Sequence, residues 1–269
     1  MTEDEAFLAA IRENPRDDTT RLVYADWLDE RGDPRGEWLR IHVQLKQFVA
    51  DGRLYYPLAN RQQRLEWDAE IDPAWLMTVR RPSWTGTEIR NWREFYDALN
   101  IEPEGWEETV PKPTVEQLDR FEAETGFRLP QSYREYILVF GPGKLLTDWA
   151  IAAPGYGGSW FYDLQAMQEH LRYRGQQHQY WYFCLAYKDR YYWDPAEVTD
   201  HDRHECAVYR IPEGGPVVRV SDTFRGFVED TVLHMLTYPN WDEQELGSPM
   251  RFELATRQAE PGAAVDGGA

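Results

Sequence analysis

The stretch from Pro113 to Lys144, PTVEQLDRFEAETGFRLPQSYREYILVFGPGK, most constrains the fold because it specifies two helices joined by a sharp corner. Thr114, followed three residues later by Gln117, predicts a capping box at the start of the first helix. Gly126 predicts the end of that helix, since glycine adopts the left-handed conformation without a steric penalty. Pro130 keeps the residue before it out of the α region, so the chain must turn before the second helix begins. The sequence therefore predicts a helical hairpin.

Both predicted helices carry an apolar stripe at helical spacing, which indicates that each has one face in a core. The stripes consist of Val115, Leu118 and Phe121 in the first helix and of Tyr133, Tyr136, Ile137 and Phe140 in the second. The run Gly141-Pro142-Gly143 predicts the end of the second helix.

After the hairpin, apolar and aromatic runs separated by turn residues predict a series of short strands. These runs are residues 149–153, 159–163, 180–187, 190–194, 204–211 and 216–221. Asp163 is placed to cap a helix that carries Leu164, Met167 and Leu171, and a last helix is expected over residues 222–238. Because the turns are short, we expect one mainly antiparallel sheet flanked by helices, an α+β fold.

The chain resembles the SUKH superfamily in three motifs. These are a helix followed by G-F-R-L-P-x-x-Y, a second helix that ends in F-G-x-G, and a late S-x-x-F-x-x-F. That group contains fungal cell-wall synthesis regulators and bacterial immunity proteins that neutralise toxins. The resemblance covers about residues 89–254 and implies a domain that binds protein and does not catalyse a reaction. The residues that match the family's structural motif are Gly126, Leu129, Pro130, Tyr133, Phe140, Gly141, Gly143, Phe224 and Phe227.

Residues 1–72 predict a small all-helical module in front of this domain. Its string RLVYADWLDERGDPRGEWLR is similar to the repeat-companion domain appended to diverse bacterial proteins, over about residues 1–50. That similarity implies a helical adaptor and no particular activity. Residues 73–88 show little periodicity and are interpreted as a linker, while residues 255–269 lack the apolar content to fold and are interpreted as a disordered tail.

The charge balance restricts the kind of partner. The chain has 29 basic and 47 acidic residues, a net charge of −18, which disfavours nucleic-acid binding and favours basic partners. No apolar run reaches the roughly 18 to 20 residues of a membrane span, and the acidic N-terminal stretch lacks the regions of a signal peptide. Cys184 and Cys206 fit buried, reduced thiols, so we expect a cytoplasmic location.

The sequence contains segments that partly match chemical motifs, and each has a simpler interpretation. His201, His204 and Cys206 are zinc-ligand types, but their spacing is not a common one, so a polar loop is favoured. The glycine-rich residues 155–158 lack the following Lys-Ser/Thr pair of a phosphate loop, and the G-x-S-x-G motif of serine hydrolases is missing. We therefore expect no catalytic residue, no metal and no cofactor.

The function predicted from the sequence is non-catalytic protein binding, best matched by an immunity-type protein that neutralises a basic, nuclease-type toxin. The expected surface combines sheet aromatics with nearby acids, namely Trp160, Tyr162, Asp163, Trp193, Asp194 and Glu197. Two alternatives stay open, a regulatory scaffold in cell-envelope or signalling control and, more remotely, a small-molecule enzyme. The partner, the oligomeric state, the exposed sheet face and the role of the N-terminal module stay open as well.

Overall fold

The computed structural model describes residues 2–15, 17–49, 51–80, 88–104, 109–145, 149–156, 159–173, 179–186, 188–233 and 251–255. Residues 81–87 of the predicted linker, the predicted tail beyond residue 255 and the predicted last helix beyond residue 233 lie outside these ranges. None of the helices within these ranges is both long and apolar enough to cross a membrane.

Five helices form the N-terminal module: α1 (Glu3–Glu13), α2 (Asp18–Asp29), α3 (Arg35–Phe48), α4 (Gly52–Asp68) and α5 (Pro73–Val79). Helix α5 falls within the predicted linker, where Asp72 caps it and a proline occupies its first turn. Trp75 and Val79 of α5 are buried in the same core as Leu28 and Trp38. The helical module therefore extends structurally to the end of α5.

Arg21 explains how α5 is held in place. The side chain is fully buried, and its guanidinium donates hydrogen bonds to the carbonyl oxygens of Val79, Asp17 and Pro15 at 2.7 to 2.9 Å. These bonds satisfy a buried cation with backbone acceptors from the α1–α2 connection and from the end of α5.

The helices of the second domain are α6 (Trp92–Ala98), α7 (Val115–Thr125), α8 (Gln131–Phe140), α9 (Leu164–Tyr173), α10 (Phe224–Phe227) and a π-helix over Val228–Leu233. The predicted hairpin is confirmed in α7 and α8. Thr114 and Gln117 form the capping box, and Gly126 ends α7 with a φ of 69°. The predicted stripe is wrong at Val115, whose side chain is 47% exposed at the first turn of α7.

The strands are β1 (Asn100–Pro103), β2 (Gly143–Leu145), β3 (Trp149–Ile151), β4 (Trp181–Ala186), β5 (Asp189–Asp200), β6 (Glu205–Ile211), β7 (Val218–Ser221) and β8 (Arg251–Leu254). They form one sheet in the order β1-β8-β2-β3-β4-β5-β6-β7. All neighbouring strands are antiparallel except β1 and β8, which are parallel. The predicted α+β fold with a mainly antiparallel sheet is confirmed.

One predicted strand, residues 159–163, is wrong. These residues form turns and a single parallel bridge from Asp163 to Ala153. The carboxylate of Asp163 accepts the backbone N–H groups of Gln165 and Ala166 at 2.9 Å. This cap begins α9 directly and leaves no room for an extended strand.

The two faces of the sheet have different surroundings. Trp149 and Ile151 of β3 belong to the main core, whereas Ala150 between them packs with Tyr162 and Ala255 in a small separate cluster. Because neighbouring residues of a strand point to opposite faces, the main core lies on one side of the sheet and this cluster on the other. We call the side away from α8 and α10 the outer face.

The family-motif residues occupy the core side and the turns of the hairpin. The side chains that are buried there are Leu129, Tyr133, Phe140, Phe224 and Phe227. Pro130 immediately precedes α8, Gly141 ends it with a φ of 75°, and Gly143 is the first residue of β2. These motif residues therefore lie in the core and at the ends of α7 and α8.

Where β3 ends, a side chain continues the hydrogen bonding of β4. The amide of Gln168 in α9 donates to the carbonyl oxygen of Tyr182 at 2.6 Å and accepts the Tyr182 N–H at 3.0 Å. Gln168 is buried, so this pair of bonds satisfies two backbone groups that would otherwise lose a partner on leaving water.

The helical module contacts the sheet domain directly. The Tyr56 hydroxyl of α4 donates to the carbonyl oxygen of Pro103 in β1 at 2.6 Å. Val49, just after α3, packs against the main core of the second domain. The edge of the sheet at β1 is therefore covered by the module.

Candidate protein-binding surface

A row of tyrosines crosses the outer face of the sheet. Tyr182 of β4 pairs in register with Tyr192 of β5, which pairs with Tyr209 of β6. Arg219 of β7 is the next partner along the row. Side chains at paired positions lie on the same face, so the four residues form one line across four strands.

The rings of this row stack on one another. Tyr180, just before β4, stacks on Tyr192 with ring centroids 4.3 Å apart, and Tyr209 stacks on the same ring at 5.4 Å. Tyr182 lies 5.5 Å from Tyr192. Tyr182 and Tyr192 are buried by these neighbours, whereas Tyr180 and Tyr209 are half-buried. We call Tyr180, Tyr182, Tyr192 and Tyr209 the tyrosine row.

Alternate residues of the same strands point the other way, into the core. Trp181 stacks on Phe127 at 4.6 Å, and Phe183 lies 5.5 Å from Phe224. The tyrosine row is consequently the part of these aromatic strands that faces away from α8 and α10.

A β-bulge brings two acids beside the row. The register of β5 against β6 shifts between Trp193 and Val198, so Asp194 and Glu197 fall within the irregular segment. The Glu197 carboxylate accepts a hydrogen bond from the Tyr209 hydroxyl and pairs with Arg219 at 2.8 Å. Asp194 accepts the N–H of Ala196 at 3.0 Å and makes no ion pair within the described ranges.

The hydrogen bond to Glu197 raises the pKa of Tyr209 to about 12, and partial burial and the nearby charge of Asp194 act in the same direction. Burial raises the pKa of Tyr192 as well, with neighbouring tyrosines and Asp194 adding to the effect. Both hydroxyls therefore stay protonated at neutral pH. The surface offers aromatic edges, hydroxyl donors and carboxylates, a combination suited to a polar protein partner.

Of the six residues expected on this surface, Asp194 and Glu197 lie beside the row. Trp160 is half-buried and stacks on His170 of α9 at 3.8 Å. Trp193 is fully buried, 4.8 Å from Tyr133 on the core side of the sheet. Alternation along β5 sends Trp193 inward and its neighbour Tyr192 outward, so Trp193 is not available to a partner.

Tyr162 and Asp163 are buried too. Tyr162 is 1% exposed and packs with Phe161 in the small outer cluster, while Asp163 is occupied as the cap of α9. Both side chains are buried because α9 begins directly after them. The aromatic composition of residues 159–163 indicated a strand and gave no sign of this helix start.

Sequence reasoning missed Tyr209 and Arg219. The alternation within residues 204–211 contains the relevant signal, because Val208 faces the core and Tyr209 must then face outward. Only the register that pairs Tyr209 with Tyr192 shows that the two rings stack.

Within the described ranges, the histidines and cysteines considered as metal ligands do not come together in a metal site. No group of three His, Cys, Asp or Glu side chains within the described ranges could hold a metal ion. Cys184 and Cys206 are buried free thiols, and burial raises the pKa of Cys206 to about 11 and that of Cys184 well above its ordinary value. His204 occupies a turn with a φ of 51°.

The α7–α8 hairpin, the mainly antiparallel sheet and α10, which bears Phe224 and Phe227, define an α+β domain built around an aromatic core. Residues 112–230 match the model of the SMI1 / KNR4 family (SUKH-1), and the domain that they form belongs to the SUKH superfamily. This membership is consistent with an immunity-type or regulatory protein-binding domain. Searches of curated proteins and of solved structures find no match.

Proposed function

We propose that this chain is a non-catalytic, cytoplasmic protein-binding protein of the immunity type, which binds and neutralises a basic, nuclease-type toxin. The family match of residues 112–230 supports the class. The single observation that carries the proposal is the tyrosine row with Asp194 and Glu197 beside it.

The row supplies anchors. Tyr180 and Tyr209 are held against Tyr192 by stacking, so little side-chain freedom is lost when a partner covers their exposed edges. Tyrosine is enriched among the residues that carry most of the affinity of protein interfaces. We expect these two side chains to contribute most of the binding energy on this side.

The acids supply steering. The chain carries a net charge of −18, and Asp194 adds a carboxylate without an ion pair in the described part of the chain. Opposite potentials speed the encounter with a basic partner and favour one orientation. The positive substrate groove of a nuclease is a surface of this kind, and occupying it would block the enzyme.

The N-terminal module would then act as a helical adaptor that presents the sheet domain. We keep its similarity to the repeat-companion domain as a proposal. Its direct contact with β1 supports a fixed rather than a loosely tethered arrangement.

Affinity capture from the native cell, at low and moderate salt, tests the proposal with three baits. The baits are the wild type, Asp194→Lys beside the row and Asp202→Lys, an exposed acid in the β5–β6 turn, as the matched charge control. We expect a basic protein that is lost as salt rises, is lost with Asp194→Lys and is kept with Asp202→Lys. The purified partner should cleave nucleic acid, and the wild-type chain should inhibit it.

A second pair of variants tests the anchors. Tyr180→Ala should weaken capture of the same partner, whereas Tyr173→Ala, at a side chain that is 92% exposed at the end of α9, should not. Several weakly held partners without nuclease activity would favour the regulatory scaffold. Turnover of a small molecule without any protein partner would exclude both.

A further inference from the structure

A cavity of about 530 Å³ lies between the helical module and the sheet domain. One face of α3 and one face of α4 form two of its walls, and the end of α6 with β1 forms the third. Its volume falls within the range of sites that hold small organic ligands. The tyrosine row does not contribute to its lining.

Much of the lining is apolar. Leu45 and Val49 project from the α3 side, and Leu99 and Ile101 face them from the sheet domain. A ligand would need an apolar body to replace water against these side chains.

Two cations and a histidine contribute to the polar part of the lining. His42, Lys46 and Arg80 line the cavity, against a single acid, Asp97. Basic side chains outnumber acids in this lining, although acids outnumber bases in the chain as a whole, which has a net charge of −18. This excess indicates a ligand with a negative group.

Trp38 holds two of these groups in place. The His42 ring stacks on Trp38 at 5.0 Å, and the Arg80 guanidinium lies 5.9 Å from the same ring. Arg80 also pairs with Glu66 at 2.8 Å, which fixes its orientation and offsets part of its charge. Lys46 is more exposed and reaches Asp18 at 3.4 Å, so its ammonium is held only loosely.

We propose that this cavity binds a small amphipathic organic anion. Its acidic group would lie near His42, Lys46 and Arg80, and its apolar body would pack between Leu45 and Leu99. Because the ligand would touch both the module and the sheet domain, binding would stabilise their contact. The chain would thereby couple an anionic small molecule to the position of its N-terminal module.

The test compares two fluorescent probes that differ by one charged group. They are 1-anilinonaphthalene-8-sulfonate, an amphipathic anion, and its uncharged parent N-phenyl-1-naphthylamine. We expect one site on the full chain that binds the anion at least tenfold more tightly than the neutral probe. Lys46→Gln should weaken anion binding several-fold and leave the neutral probe unaffected.

A cavity-filling variant locates the site. Ala59→Trp places a bulky ring in the cavity from α4 and should abolish binding, whereas Gln63→Trp, on the exposed side of the same helix, should not. Circular dichroism of both variants checks that they fold. If Ala59→Trp fails to fold, Ala98→Leu on the opposite wall replaces it.

Equal binding of the two probes, or unchanged anion binding in a folded cavity-filling variant, would overturn the proposal. So would the lack of any saturable site. These outcomes leave the toxin-neutralising proposal untouched, since it depends on a different face of the molecule.

Discussion

The two cysteines illustrate how burial controls reactivity at the scale of a single residue. Burial raises the pKa of both thiols, that of Cys206 to about 11, so the reactive thiolate is scarce at neutral pH. We expect neither cysteine to react with 5,5′-dithiobis(2-nitrobenzoate) in the native protein at pH 7.5, and both to react at once in denaturant. Rapid labelling of the native chain would show that the sheet opens around them.

His204 predicts a pH dependence of stability. Burial, with a further contribution from Arg128, lowers the pKa of His204 below its ordinary value of 6.5. Below that value the unfolded chain binds the proton more readily than the folded chain, so stability is complete at higher pH and declines as the pH falls through 6.5. We expect the melting temperature to fall less between pH 7.5 and 5 in His204→Asn than in the wild type.

Asparagine is the suitable replacement because it tolerates the positive φ of this turn. His201→Asn, at the exposed neighbouring histidine, is the control and should follow the wild type. Identical pH profiles for all three proteins would contradict the assignment.

At the scale of elements, the hairpin depends on its buried aromatic side chains. Phe121 and Phe140 are 3% and 0% exposed. Replacing either with alanine should lower the free energy of unfolding by about 3 to 5 kcal/mol, through lost burial and a residual cavity. Val115→Ala, at the exposed start of α7, should change it by less than about 0.5 kcal/mol. Urea denaturation measures all three, and equal losses would mean that the helix faces are wrongly assigned.

The bond pair between Gln168 and Tyr182 links α9 to the sheet. Gln168→Met keeps the shape of the side chain but leaves the buried N–H and C=O of Tyr182 without this partner. We expect a loss of about 1 to 3 kcal/mol for each group that stays unpaired. Gln165→Met, one turn earlier on a less buried side of α9, is the control in the same denaturation series. A loss no greater than that of the control would mean that water replaces the amide.

The elements also show what the sequence could predict. Caps and turn residues such as Thr114, Gly126 and Pro130 act locally, so the helical hairpin could be predicted from its own sequence. The tyrosine row depends on strand register and on the bulge before Val198, which arise from contacts between distant segments. Trp193 and Tyr192 are neighbouring aromatic residues of the same strand. Only the direction in which side chains alternate along β5 places Trp193 on the core side of the sheet and Tyr192 on the outer face.

At the scale of the whole molecule, we expect the module and the sheet domain to behave as one unit. Val49 packs against the main core and Tyr56 bonds to Pro103, so separating the two parts would break both contacts. Limited proteolysis should cleave slowly between residues 80 and 88 in the wild type and faster in Val49→Asp. Leu54→Asp, at a side chain that is 52% exposed, is the control and should not accelerate cleavage. Rapid release of two folded fragments from the wild type would contradict this docking.

The position of β8 has a consequence for folding during synthesis on the ribosome. This late strand lies between β1 and β2, and β1 has β8 as its sole strand partner among the described strands. The described core of the helical module lies within residues 7–79, so it can assemble early in translation. Strand β1 cannot pair with β8 until residue 254 has left the ribosome, so its edge stays without a strand partner until then. Early contact of α4 with β1 would shield that edge from other nascent chains. The N-terminal module would thus act as an intramolecular chaperone for the sheet domain.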